Sequence, residues 1–199
     1  DVGQDDLFIK NAKSLNIDLH NIDFVVLSHG HYDHSLGLKF FSNKVKLICH
    51  PESVIWRKSK RTDSYNGIPF SKEELEAKFD VIFTKEPYFI SKDIIFLGQI
   101  ERKNNFECKK FPSVLEDGSV DIALDDTGLG INTENGLIII SGCGHSGICN
   151  TIEQAKKITN NNKVYAVVGG FHLKEIDEQV EKTIEYFQKE KINRIYLGH

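Results

Sequence analysis

Ser28-His29-Gly30-His31-Tyr32-Asp33-His34 follows directly on the apolar run Phe24 to Leu27. In a chain of this composition the order H-x-H-x-D-H arises by chance about once in a thousand sequences. An apolar run that stops at such a cluster reads as a buried strand whose end opens on a loop of ligands. In extended backbone His29, His31 and Asp33 share a side, and His34 emerges beside them as the chain turns. The four donors thus form two neighbouring pairs, His29 with His31 and Asp33 with His34. Gly30 lets the backbone bend closely around them. A merely solvated loop would favour Ser, Asn and Lys.

Two pairs leave two ions under-coordinated, so further ligands must come from distant strand ends. Three His residues have that setting. His145 lies in the Gly-rich turn Ser141 to Gly147 after the run Leu137 to Ile140, His172 follows Val164 to Val168 through Gly169-Gly170-Phe171, and His199 follows Arg194 to Leu197 through Gly198. Glycine beside each His allows close approach of the backbone to a site. His20 and His50 lack this context and read as structural or exposed. Cys143 and Cys149 flank His145; thiolate ligation is conceivable, with buried inert thiols the simpler reading.

The rest of the 199 residues limits the alternatives. Twenty-five Lys and Arg against 29 Asp and Glu leave a net charge of −4, which provides no global field for a nucleic acid. With 40 % hydrophobic and 27 % charged residues the chain can bury a core. No apolar stretch approaches the ~20 residues that span a bilayer. Four irregularly spaced cysteines form neither a disulfide scaffold nor a C-x-x-C pair, so reduced thiols and a cytoplasmic location are expected. The chain opens on Asp1-Val2-Gly3 without Met and ends on a strand, so it reads as one domain, 1–199, cut at both ends.

Periodicity predicts a helix over 5–15 and strands over 22–27 and 44–49. A short helix should start at Pro51, a polar loop should run over 57–70, and Ser71-Lys72-Glu73-Glu74 should cap a helix. Short strands are expected near 81–83, 88–90 and 94–97. The stretch 99–126 is irregular and reads as a loop that faces either solvent or substrate. A hairpin over 128–140 turns at Asn135-Gly136, and helices over 148–158 and 175–189 alternate with strands over 164–168 and 194–197. This is a mixed α/β layered pattern.

The constellation resembles the metallo-β-lactamase superfamily, and within it the branch of 7,8-dihydropterin-6-methyl-4-(β-D-ribofuranosyl)aminobenzene 5′-phosphate synthase. The similarity rests on Asp1-Val2-Gly3-Gln4, Leu27 to His34, Gly98-Gln99-Ile100-Glu101-Arg102 with Phe106-Glu107, Ser141 to Ile148, Gly169 to Leu173 and Gly198-His199. It implies an αβ/βα sandwich of two mixed sheets flanked by helices, with the first strands and the C-terminal end missing. It further implies His29, His31 and His145 on one metal and Asp33, His34 and His199 on a second. The ions would be zinc first, with manganese, iron or magnesium as alternatives.

The superfamily's usual bridging Asp has no counterpart, since no Asp occurs between residues 127 and 176. Either His172 replaces it, or one ion binds tightly, or His172 contacts substrate; the last ranks first, because an uncharged imidazole replaces a bridging carboxylate poorly. The resemblance places Arg102 and Glu107 with His172 at the substrate and makes Asp33 the orienter of the attacking hydroxide. The implied activity is hydrolysis of an ester or phosphoester in a small, anionic or phosphorylated molecule, with neither nucleic acid nor membrane as partner. A transferase condensing a dihydropterin diphosphate with an aryl ribosyl phosphate is the alternative, and an inactive metal-binding fragment the non-enzymatic one.

Overall fold

A computed structural model describes residues 1–199. Its residues gather into two compact units, Asp1–Thr84 with Pro112–Asp121, and Lys85–Phe111 with Ile122–His199.

The first unit contains helix α1 (Leu7–Ser14), strand β1 (Phe24–Val26), helix α2 (Tyr32–Ser35), strands β2 (Lys46–Cys49) and β3 (Arg57–Ser59), helix α3 (Lys72–Lys78) and strand β4 (Asp80–Phe83). Strands β1, β2 and β4 pair in parallel, in that order, with Val25 opposite Leu47 and Leu47 opposite Val81. Leu27, Leu38, Leu47, Ile68, Leu75 and Phe79 fill the core between this sheet and its helices. Such burial supplies most of the driving force, at about 25 cal/mol per Å² of apolar surface. Helix α3 starts where the sequence predicts. Ser71 Oγ accepts from Glu74 N at 3.2 Å, and Glu74 Oε2 accepts from Ser71 N at 2.8 Å.

A second sheet of this unit joins β3 to two strands from the stretch read as irregular, β7 (Ser113–Leu115) and β8 (Val120–Asp121). Arg57-Lys58-Ser59 has no apolar residue to reveal a strand. The fully buried Arg57 is held there by Asp121, whose Oδ2 lies 3.3 Å from its Nε. The expected short helix is a 3₁₀ turn, Pro51–Val54.

The second unit is built on one mixed sheet. Its strands are β5 (Tyr88–Phe89), β6 (Ile94–Phe96), β9 (Gly128–Thr133), β10 (Gly136–Ser141), β11 (Val164–Gly169) and β12 (Ile195–Leu197), in the spatial order β12-β11-β10-β9-β6-β5. The predicted hairpin β9–β10 is antiparallel and turns with Gly136 at φ +127°. Strands β10, β11 and β12 run parallel, connected through helices α4 (Ile148–Thr159) and α5 (Glu178–Lys189). Helix α5 starts three residues later than its periodicity suggests, because Asp177 caps it by accepting from Gln179 N and Val180 N. Leu137, Ile139, Ile148, Ile152, Val167, Phe171 and Phe187 form the core. No helix is long and apolar enough to cross a membrane.

Candidate metal centre

In the first unit the chain stays extended from β1 only as far as His31, whose φ and ψ are −71° and 147°. Asp33 and His34 then come from the first turn of α2, so the alternation expected to carry Asp33 beside His31 ends at Tyr32. The close turn depends on Gly30, where a Cβ would lie 1.9 Å from the carbonyl oxygen of Ser53. His29, His31 and His34 are all buried, with ring centroids of His29 4.5 Å from His31 and 4.3 Å from His34. Asp33 remains about one-third exposed, its Oδ2 3.9 Å from His34 Nε2.

Asp1 organises these rings, a role that sequence reading did not assign. Its Oδ2 accepts from His34 Nδ1 at 2.8 Å and from Ser28 Oγ at 2.8 Å, while Oδ1 accepts from Ser28 N at 2.7 Å. Ser28 Oγ donates its proton to Asp1, so its oxygen accepts from His29 Nδ1, 3.0 Å away. Both imidazoles are thereby protonated at Nδ1 and basic at Nε2. His29 Nε2 stands 2.8 Å from His31 Nδ1. Two nitrogens on one tetrahedral zinc would be about 3.3 Å apart. A small ring rotation therefore suffices to fit an ion, and this nitrogen-rich set with one carboxylate suits zinc or a similar borderline cation.

In the second unit His145, His172 and His199 stand beyond the C-terminal ends of the neighbouring strands β10, β11 and β12. Gly170 N donates to Gly142 O at 3.2 Å and Gly198 N to Gly169 O at 3.0 Å, which ties the three strand-end turns together. The His145 and His172 rings are 4.3 Å apart by centroid. Cys143 is buried, and its Sγ lies within 4.8 Å of a ring nitrogen of His145 and of one of His199. Burial, with positive charge on Lys174 and His199 nearby, lowers the pKa of His172 to about 4. His172 is therefore neutral at pH 7, where its ring can donate one N–H.

Two residues expected at the substrate, Glu107 and Arg102, make hydrogen bonds within this unit. Glu107 is buried and caps α4. Its Oε1 accepts from Cys149 N and its Oε2 from Asn150 N, each at 3.0 Å, and Oε2 also accepts from Asn104 Nδ2 at 2.6 Å. Arg102 Nη2 donates to the carbonyls of Ile122 and Ala123 at 2.5 and 2.8 Å. Glu107 thus fixes the start of α4 behind the His145 turn, and Arg102 fixes the backbone at residues 122 and 123. Asp126, unassigned from sequence, completes that support. It accepts from Ser146 N at 2.7 Å, and burial lifts its carboxyl to about 6. His50 has the structural role expected, fully buried with Nδ1 accepting from Glu52 N at 3.1 Å. His20 is exposed.

A cavity of about 600 Å³ in this unit is lined by His172 and His199 together with Lys174, Phe171, Phe187 and Leu197. Its wall is mostly apolar and carries one lysine, Lys174, and one glutamate, Glu175.

A sequence model of the metallo-β-lactamase superfamily matches residues 1–156. The chain is 36 % identical to the 7,8-dihydropterin-6-methyl-4-(β-D-ribofuranosyl)-aminobenzene-5′-phosphate synthase of Methanocaldococcus jannaschii, over 95 % of this chain and 69 % of that protein. It is 33 % identical to MJ0448, an uncharacterised protein of the same organism, over 96 % of this chain and 73 % of the relative. Among solved structures it is similar to Tm1679, described as a metal-dependent hydrolase of the β-lactamase superfamily. That match has a TM-score of 0.85 and 30 % identity, covering 98 % of this chain and 74 % of the other.

Proposed function

Because the chain belongs to the metallo-β-lactamase superfamily and has its α/β fold, we propose that it is a metal-dependent hydrolase of an ester or phosphoester in a small anionic molecule. His29, His31 and His145 would hold one divalent ion and Asp33, His34 and His199 a second. The observation that carries the reading is the chain from Asp1 through Ser28 to His29, and from Asp1 to His34, which sets both rings with Nε2 basic.

When bound, the ions supply Lewis acidity that brings the pKa of a water toward about 7 and polarises the scissile bond. Asp33 orients the attacking water and takes its proton, being the carboxylate of the motif that stays open to solvent. Neutral His172, at the wall of the cavity, donates an N–H to an anionic oxygen of the substrate. The 36 % identical relative supports a second reading. In it, the same Lewis acidity activates a dihydropterin diphosphate for transfer to an aryl ribosyl phosphate.

Elemental analysis of the purified chain, followed by assays with phosphoesters, lactones and thioesters, tests the proposal. Chelator-sensitive hydrolysis with about two ions per chain is the expected result. Metal-loaded protein that hydrolyses none of them but couples a dihydropterin diphosphate to an aryl ribosyl phosphate would replace the first reading with the second.

A further inference from the structure

Cys143 precedes His145 by two residues, in Ser141-Gly142-Cys143-Gly144-His145. It sits among groups of another kind from those around Cys49 and Cys149, which pack in the two apolar cores. Its Sγ is within 4.8 Å of ring nitrogens on two imidazoles, His145 after β10 and His199 after β12. Between them the end of β11 carries only glycine. A Cβ on Gly170 would lie 3.2 Å from Cys143 Cα and 3.3 Å from His199 Cδ2, so no side chain can grow between the thiol and that ring.

Charge points the same way. The six ligands proposed above contain one carboxylate against two divalent ions, with five neutral imidazoles. A further anionic donor at this spot would raise the affinity for both ions, and thiolate is a strong ligand for zinc and its borderline neighbours.

We propose that Cys143 is a metal ligand, binding as a thiolate where it can reach the ions of both His145 and His199. The inference rests on the two-ion reading given above. On binding, the S–H bond breaks, its proton leaves to the buffer, and the sulfur lone pair forms the bond to the metal.

Cobalt(II) tests it on the whole chain without any assay of activity. The cobalt-loaded protein should show a near-ultraviolet sulfur-to-cobalt charge-transfer band alongside its visible d–d bands. Cys143→Ser should lose that band and bind the metal at least tenfold more weakly, whereas Cys149→Ser should keep both. If Cys143→Ser does not fold, zinc X-ray absorption of the unaltered chain decides: a sulfur shell at about 2.3 Å supports the proposal. Visible d–d bands with no charge-transfer band, or a zinc shell of nitrogen and oxygen alone, would overturn thiolate ligation and leave the metal reading intact. Absence of any cobalt binding would overturn both.

Discussion

Oδ2 of Asp1 stands 2.8 Å from Nδ1 of His34, and through Ser28 Oγ the same oxygen governs His29. One carboxylate thus sets the basicity of two rings. Asp1→Ala should lower zinc affinity by about 10- to 100-fold, the usual cost of losing a partner that orients a ligand. Chelator competition measures it, and an unchanged dissociation constant would show that the rings orient themselves.

His172 is expected to separate binding of metal from use of substrate. His172→Ala should keep metal content within experimental error while lowering turnover of anionic substrates by about tenfold or more. A parallel fall in bound metal would make it a ligand. Unchanged rates would remove it from the site.

Glu107 links stability to pH. Burial holds its carboxyl above the ordinary 4.5, against the opposing bonds from Cys149 N, Asn104 and Asn150 N. A group with a raised folded pKa stabilises fully below its unfolded pKa, and that contribution is lost as pH rises through the folded value. Glu107→Gln should remove this part of the pH slope. Glu107→Ala should cost about 2 kcal/mol or more at every pH, through the lost cap and unpaired N–H groups. Urea unfolding across the acid and neutral range reads both.

Gly30 and Gly118 separate steric from conformational demands. A Cβ at Gly30 meets Ser53 O at 1.9 Å, whereas one at Gly118 meets nothing within 4 Å but inherits φ +83°. Gly30→Ala should therefore destabilise by about 3 kcal/mol or more, and Gly118→Ala by only about 1 kcal/mol. Equal losses in unfolding free energy would contradict the tight turn at the His loop.

What was legible in the sequence was local. The motif from His29 to His34, the capping box of Ser71 and Glu74, and the hairpin at Asn135-Gly136 each declare themselves within a few residues. Asp1, Glu107, Arg102 and Asp126 do not, because their partners lie far along the chain; Glu107 meets the backbone of residues 149 and 150. A carboxylate that caps a helix from 40 residues away has the same appearance in sequence as one on a solvated loop. Strand β3 was hidden for a related reason, since Arg57 is buried by pairing with Asp121 rather than by its own polarity. The period-two reading of the His loop failed where α2 begins.

In β10, β11 and β12, Ser141 is level with Gly169 and Gly169 with Leu197. From that common rung His145 lies four residues on, His172 three and His199 two. The hydrogen-bond ladder therefore acts as a ruler, and each turn pays out one residue less than the strand before it. Insertions among the exposed residues of the connecting segment 160–163 leave the rungs in place and should be tolerated, whereas the segment 190–193 carries the core residue Ile192 and should not be lengthened freely. A single residue added between 169 and 172 would shift its histidine off the scale while leaving every strand intact, so the protein should fold while losing the place proposed for His172 at the substrate.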